Sequence, residues 1–236
     1  MKAIGRALAG SPPAALDPET REVRLPDAPA LCARPRGAWQ DAASRAIDVA
    51  GSLALLIVLS PLLLVIAVLV RLSSPGPVLY RQRRVGRGGH PFELLKFRSM
   101  RASGGGPRVT AGGDVRVTCV GRVLRQWKLD ELPQLWNVVR GEMALVGPRP
   151  EVPEYVKHYT PEQREVLSVR PGVTGLTQLV FRNEEALLAG RADVERYYLE
   201  HILPLKLDLD RQYVASRSLA GDLLILLRTV LHVLRR

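Results

Sequence analysis

The 22 residues from Val49 to Val70, VAGSLALLIVLSPLLLVIAVLV, limit this chain most, because they carry no charge at all. As a helix they would cover roughly 33 Å, about the depth of one bilayer core. Yet Ser60-Pro61 stands at the midpoint. Pro61 lacks an N–H and its ring crowds the carbonyl of Ile57, so a helix must kink or break there, with Ser60 able to satisfy freed backbone groups. Arg34, Arg36 and Arg45 precede the run, and Arg71, Arg81, Arg83, Arg84 and Arg87 follow it. Positive residues mark the cytoplasmic side, so both ends qualify for the same side. A straight span cannot provide that and a helix-break-helix hairpin can. The residues by themselves leave re-entry and a kinked span equally open. A cleaved signal peptide is not expected: about 45 residues precede the run, it is too long for an h-region, and no A-x-A site follows.

With 236 residues and 47% hydrophobic content the chain can bury a core in one domain or two. Cys32 and Cys119 lie far apart, without a CxxC or Cys/His cluster, which argues against a disulfide framework or structural zinc and fits a reducing compartment. The net charge of +11 and pI near 10.3 predict polyanionic partners, whether nucleic acid, anionic lipid or phosphorylated small molecules.

Residues 1–40 hold six prolines without sustained periodicity and read as a disordered tail. After the apolar run, PVLYRQRRVGRGGHPFELLKFRSM predicts two extended segments joined by GRGG, with Lys96 and Arg98 on one face and Leu95 and Phe97 on the other. The glycine-rich ASGGGPRVTAGGD reads as a mobile loop. From Thr118, the spacing of Val120, Val123, Leu124 and Trp127 predicts a helix. A second is expected to start near Asp130 as cap, with Pro133 in its first turn. Thr160 and Gln163 match a capping box. The leucine-rich C-terminal stretch DLLILLRTVLHVLRR, with its terminal cations, reads as an interfacial or packing helix.

The chemistry concentrates in RQWKLDELPQLWNVVRGEMALVGPRPE, residues 125–151. Asp130 and Glu131 could simply be acids at a helix start. The company of Lys96, Arg98, Arg125 and Arg149 suggests more, since an aspartate near cations can bind a divalent metal together with a phosphorylated substrate. Both prolines of Gly147-Pro148-Arg149-Pro150 fix φ, so the frame is either a rigid connector or a preset mount for the Arg149 fork. RPGVTG, residues 170–175, could be a plain turn or a phosphate-facing loop whose glycines let the backbone approach. Surface acids and core aromatics are the default for Asp193, Glu195, Tyr197 and Tyr198. His90, His158, His201 and His232 are too scattered for ligand spacing. No P-loop, G-x-S-x-G or dinucleotide fingerprint occurs.

KLDELPQLWNVVRGEMALVGPRP, with KFRSM upstream and RPGVTGLTQ downstream, closely resembles the bacterial sugar transferases, the monotopic phosphoglycosyl transferases that start surface-glycan assembly. The likeness runs from about Arg45 to the C-terminus. It implies an enzyme on the cytoplasmic face of the bacterial inner membrane that moves a sugar-1-phosphate from a UDP-sugar to a polyprenyl phosphate, with Mg²⁺, as the first membrane step of exopolysaccharide, capsule, O-antigen or glycoprotein glycan assembly. It maps the nucleophile onto Asp130, which would also meet the metal, and its acidic neighbour onto Glu131. Lys96, Arg98, Arg125 and Arg149 become the substrate-binding cations, with Asp193 a further acid before the paired tyrosines. Ser60-Pro61 becomes the break of a re-entrant hairpin. After Gln178 many members have a glycine before the arginine, where this chain has Phe181 before Arg182, which puts sugar preference in doubt.

The implied fold is α+β and mostly helical: a disordered tail over 1–40, a membrane-inserted re-entrant helix over 41–72, and a cytosolic catalytic domain over 73–236 with a short β-hairpin and interfacial amphipathic helices. UDP-sugar, polyprenyl phosphate and membrane lipid are the expected partners, nucleic acid is not, and a homodimer is left open. Two rivals remain, a membrane-tethered basic nucleic-acid binder, which would bind duplex with a steep salt dependence, and a glycan-assembly scaffold without activity.

Overall fold

The computed structural model describes residues 37–101, 114–191 and 193–234, plus a two-residue antiparallel pairing of β1 (Ala15–Leu16) with β2 (Val23–Arg24). Most of the 1–40 tail and of the glycine-rich loop falls outside the described residues. Among those described, no single helix is long and apolar enough to cross a membrane; α1 (Ala38–Val58) and α2 (Ser60–Ser73) reach that measure only as a pair, bent by 65°. The local chemistry of the bend is the expected one. Ser60 Oγ donates to the Ile57 carbonyl at 2.8 Å, and Pro61 lies in the first turn of α2, where a missing N–H leaves no helical bond unmade.

Both arms are welded to the rest of the chain at their outer ends. On α1, Arg45 donates to the carbonyls of Val138 (2.7 Å) and Met143 (3.3 Å), and Asp48 accepts from the Leu145 N–H at 3.1 Å. At the far end of α2, Arg98 donates to the carbonyls of Ser74 (2.6 Å) and Val70 (3.2 Å), and to that of Pro77. Ile66 and Val70 bury themselves against Phe97 and Leu124. Around the bend the side chains are bare: Ile57, Val58 and Leu64 are 72%, 73% and 67% exposed. A contiguous apolar surface of that kind marks a contact with lipid or another protein.

The predicted hairpin forms as β3 (Leu79–Val85) and β4 (Pro91–Phe97), antiparallel across the GRGG turn, with Tyr80 opposite Lys96. α3 (Cys119–Gln126) is capped by Thr118, whose Oγ1 accepts from the Gly121 N–H at 2.8 Å. The second helix departs from expectation. Asp130 does not cap it; Lys128 takes a left-handed φ of 56°, a 3₁₀ turn covers Leu129–Glu131, and α4 (Gln134–Arg140) starts only after Pro133. That reversal turns Asp130 inward, away from the α4 amides.

β5 (Ala144–Val146) and β6 (Gly172–Thr174) pair in parallel, and the frame 147–150 leaves from the end of β5. Here the glycines do permit a close approach, but of backbone to backbone: a Cβ on Gly147 would stand 2.6 Å from the Arg170 carbonyl oxygen. α5 (Pro153–Val156) follows, then a 3₁₀ helix over Gln163–Ser168 opened by the reciprocal Thr160 and Gln163 bonds of a capping box. The remaining helices are α6 (Leu176–Val180), α7 (Glu184–Leu188), α8 (Val194–Tyr197) running into a π turn, α9 (Leu203–Ser216) and α10 (Leu219–Leu234). They enclose the largest core, from Val152 to Leu209 together with Val85 of β3. α10 packs Ile225 inward beside Leu135 and Tyr213 and leaves Leu223, Leu227 and Val230 each 55% exposed, as an interfacial or packing helix would.

Candidate active site

A cleft of about 1830 Å³ runs from Leu55 and Leu59 beside the bend between α1 and α2, past Lys96, Asp130 and Arg149, to Thr229 and His232 on α10. Asp130 is 7% exposed, and its Oδ1 is fully buried with no hydrogen-bond partner. Burial and then the Glu131 charge raise its carboxyl above the ordinary value, while Lys96, Lys128 and Arg125 pull the other way. The result is a carboxyl more basic than usual, beside three cations that favour its charged form.

Glu131 plays the opposite part. Its Oε1 accepts from Lys96 Nζ at 3.2 Å and from Arg149 Nη2 at 2.9 Å. Burial alone would favour the neutral acid, but Arg149 and then Lys96 outweigh it and hold the carboxyl well below its ordinary value. The two acids are thus shifted in opposite directions, as neighbouring carboxyls with separate roles are. Lys96 is shifted down, by burial first. Arg149, in the stiff frame, is shifted up by Glu131.

Arg125 lines the cleft with Nη1 buried and unpartnered, its Nη2 paired to Glu185 at 2.9 Å. Of the other two expected substrate-binding residues, Arg98 also borders the cleft and Asp193 does not. Arg98, 6% exposed, gives its guanidinium to the carbonyls that end α2, because a helix C-terminus presents unpaired C=O groups for a cation to close. Asp193 is exposed and caps α8, accepting from the Arg196 N–H at 2.9 Å. A short polar side chain before a helix commonly does this.

One group of site residues was not singled out from the sequence. Glu151 accepts from Tyr198 OH at 2.6 Å and Arg84 Nη1 at 3.2 Å, and Lys206 joins Glu184 at 2.8 Å and Tyr198 OH at 2.9 Å. These line the same cleft. The position of Glu151, directly after the GPRP frame, was the available signal; Lys206 inside α9 gave none. Among the described residues no group of three or more His, Cys, Asp or Glu could enclose a metal. Asp130 Oδ1, a hard oxygen donor without a partner, suits the usual magnesium arrangement of one or two carboxylates completed by substrate phosphates.

An aspartate with a buried, unpartnered oxygen in a cation-lined cleft suits the handling of a phosphorylated group. The chain belongs to the bacterial sugar transferase family, whose profile, described as "Bacterial sugar transferase", matches residues 39–236. It is similar to a UDP-glucose:undecaprenyl-phosphate glucose-1-phosphate transferase of Caulobacter vibrioides, 43% identical over 195 residues, covering 80% of this chain and 69% of that protein. A UDP-N-acetylgalactosamine-undecaprenyl-phosphate N-acetylgalactosaminephosphotransferase of Aeromonas hydrophila is 39% identical over 197 residues, 80% of this chain but only 43% of that protein. The exopolysaccharide production protein ExoY of Rhizobium meliloti is 39% identical over 205 residues, 80% and 84% of the two chains. As a member of this family the chain is an enzyme, a phosphoglycosyl transferase.

Proposed function

We propose that the chain transfers a sugar-1-phosphate from a UDP-sugar to a polyprenyl phosphate through a phosphosugar covalently held on Asp130, at the cytoplasmic face of the bacterial membrane, as the first membrane step of a surface glycan. The observation that carries this reading is Asp130 Oδ1, buried and unpartnered within a ring of cations. Its carboxylate oxygen attacks the β-phosphorus of the donor. The bond from that phosphorus to the oxygen bridging it to the α-phosphorus breaks, and UMP departs with the electron pair. An oxygen of the lipid phosphate then attacks the same phosphorus, the Asp130–phosphorus bond breaks, and the carboxylate returns. No proton needs to move in either step. Arg149 and Lys96, fixed by Glu131, lie within the same cleft to meet the charge that spreads over the transferring oxygens. Mg²⁺, held by Asp130 and the donor's diphosphate, would supply further neutralisation of those anionic oxygens.

The membrane reading rests on the two ends of the bent pair. Arg45 and Asp48 tie one end, and Arg98 the other, to a single folded body. A body that lies on one side of a bilayer then keeps both ends there, as re-entry requires. Standing as a symmetric V, the 14-residue arm α2 would incline by about half of the 65° bend and reach about 11 Å deep. That is within one leaflet of a core roughly 30 Å thick.

The test is UMP release from a panel of UDP-sugars with polyprenyl phosphate. Asp130→Asn should lower it about a thousandfold or more, and mass spectrometry of the wild type incubated with donor alone should find one phosphosugar on Asp130. Turnover by the variant at the wild-type rate refutes the mechanism.

A further inference from the structure

Among the described residues, the buried and half-buried cleft cations are largely neutralised: Lys96 and Arg149 by Glu131, Arg125 by Glu185, Arg84 and Lys206 by Glu151. Arg98 gives its guanidinium to the carbonyls that end α2, and Arg182 differs from all of these. It stands half-buried in the turn between α6 and α7, and its Nη1 lies 2.7 Å from Nε2 of His232 on α10. A guanidinium only donates, so in this contact the imidazole nitrogen is the acceptor. The positive charge of Arg182 therefore meets no carboxylate among the described residues, yet it faces the cleft.

Around this pair the wall turns apolar. Leu226, Val230 and Val233 of α10 line the cleft together with Leu55 and Leu59 beside the hairpin bend. Leu56, Leu179 and Leu226 pack into one cluster, so the bend, α6 and α10 converge. In the other direction Arg182 is three residues from Glu185, which holds Arg125, one of the cations acting on Asp130. A half-buried cation thus sits where an apolar lane meets the reactive carboxylate.

We propose that Arg182 and His232 seat the acceptor's phosphate, a phosphomonoester on an isoprenoid chain whose hydrocarbon lies along the lane between α10 and the hairpin bend; this rests on the transfer reaction above. The chemistry favours a monoester. It carries up to two negative charges and three acceptor oxygens, which suit a forked guanidinium beside an imidazole ring. Free phosphate would forgo the lane, where each buried methylene contributes about 0.8 kcal/mol. A phospholipid diester offers only one charge.

The experiment uses the full chain in phosphatidylcholine nanodiscs, with the UDP-sugar from the panel that turns over best. Arg182→Gln should raise the KM for polyprenyl phosphate about tenfold, with the KM for the UDP-sugar and the acceptor-free adduct on Asp130 unchanged. His232→Gln should raise the acceptor KM less, and Arg182→Lys should recover part of the loss. Polyprenyl phosphate should raise the thermal midpoint of the wild type, and polyprenol, inorganic phosphate and phosphatidylglycerol should not. An unchanged acceptor KM, a parallel rise in donor KM, or equal stabilisation by phosphatidylglycerol overturns the proposal. Adduct formation by Arg182→Gln reports that it has folded. If the wild type forms neither adduct nor UMP, the transfer reaction itself fails; if both form and the acceptor KM stays put, only this seat fails.

Discussion

Replacing Glu131 with glutamine keeps the side chain's shape and removes the charge on which Lys96 and Arg149 converge. The side chains of Lys96, Glu131 and Arg149 are 17%, 13% and 27% exposed, so the triad is shielded but not sealed. Breaking a fully buried ion pair costs about 3–5 kcal/mol because the partner charge is stranded. Water reaching Arg149 softens that, and Lys96 can escape by losing its proton, so we expect about 2–3 kcal/mol. For a chain of this length that is roughly 4–12 °C in Tm, read by tryptophan fluorescence in detergent micelles, with Trp127 and Trp136 flanking the site turn. The pH dependence has a definite sign. Lys96 already lies below its ordinary value of 10.5, through burial first and through Arg149 and Arg84, against the pull of Glu131. Without Glu131 it falls further. Between that lowered value and 10.5 the unfolded chain binds more protons than the folded one, so stability rises with pH across the window, more steeply in the variant. Adding Lys96→Met should restore most of the loss by removing the stranded charge. A Glu131→Gln Tm within about 1 °C of wild type and flat with pH would refute a charge-coupled triad.

Asp210 is buried and its carboxyl is pushed up to about 7, by burial first, against the bond it accepts from Thr177 Oγ1 at 3.0 Å. The folded chain then holds a proton that the unfolded chain gives up near 3.8, so stability should fall as pH rises from 3.8 toward 7; thermal midpoints over that range should flatten in Asp210→Asn. Gly76 has a φ of 119°, and a Cβ there would stand 2.6 Å from Arg98 Nη1, so Gly76→Ala should cost about 2–3 kcal/mol by thermal unfolding and loosen the end of α2. For the hairpin, single cysteines at Gln40 and Arg101, in a chain lacking Cys32 and Cys119, should both resist an impermeant thiol reagent in intact cells and both react in inside-out vesicles. Labelling of only one in intact cells would indicate a through-span.

What could be read in the sequence was local. A missing N–H at Pro61 and the Thr160-Gln163 pair act within a turn or two, and the structure has the break and the capping box where the sequence places them. The placement of Asp130 as a cap failed because a left-handed Lys128, rare for a side chain of its kind, ended one helix early and delayed the next. Arg98 looked like Lys96 by strand periodicity. Its neighbours were decided by the distant end of α2, and no period along β4 encodes that meeting. Glu151, Lys206 and Tyr198 come together from three elements, so their ion-pair network was visible only after folding.

That network changes how the site's charge should be counted. An excess of eleven positive charges invites the view that the cleft is a basic groove waiting for anions. Within it, however, Glu131, Glu185 and Glu151 already occupy the principal cations at 2.9–3.2 Å. A diphosphate donor entering beside Asp130 would therefore add anions to a nearly balanced site, and the surplus repulsion has to be met by something the donor brings. A divalent ion travelling with the diphosphate would meet that need; among the described residues the site offers it one unpartnered carboxylate oxygen rather than a protein cage. The acceptor's charge would be met separately, by Arg182. Two anionic substrates would then use different counter-charges in one cleft, so each could bind and leave without dismantling the ion pairs that hold Arg149 and Lys96 in place.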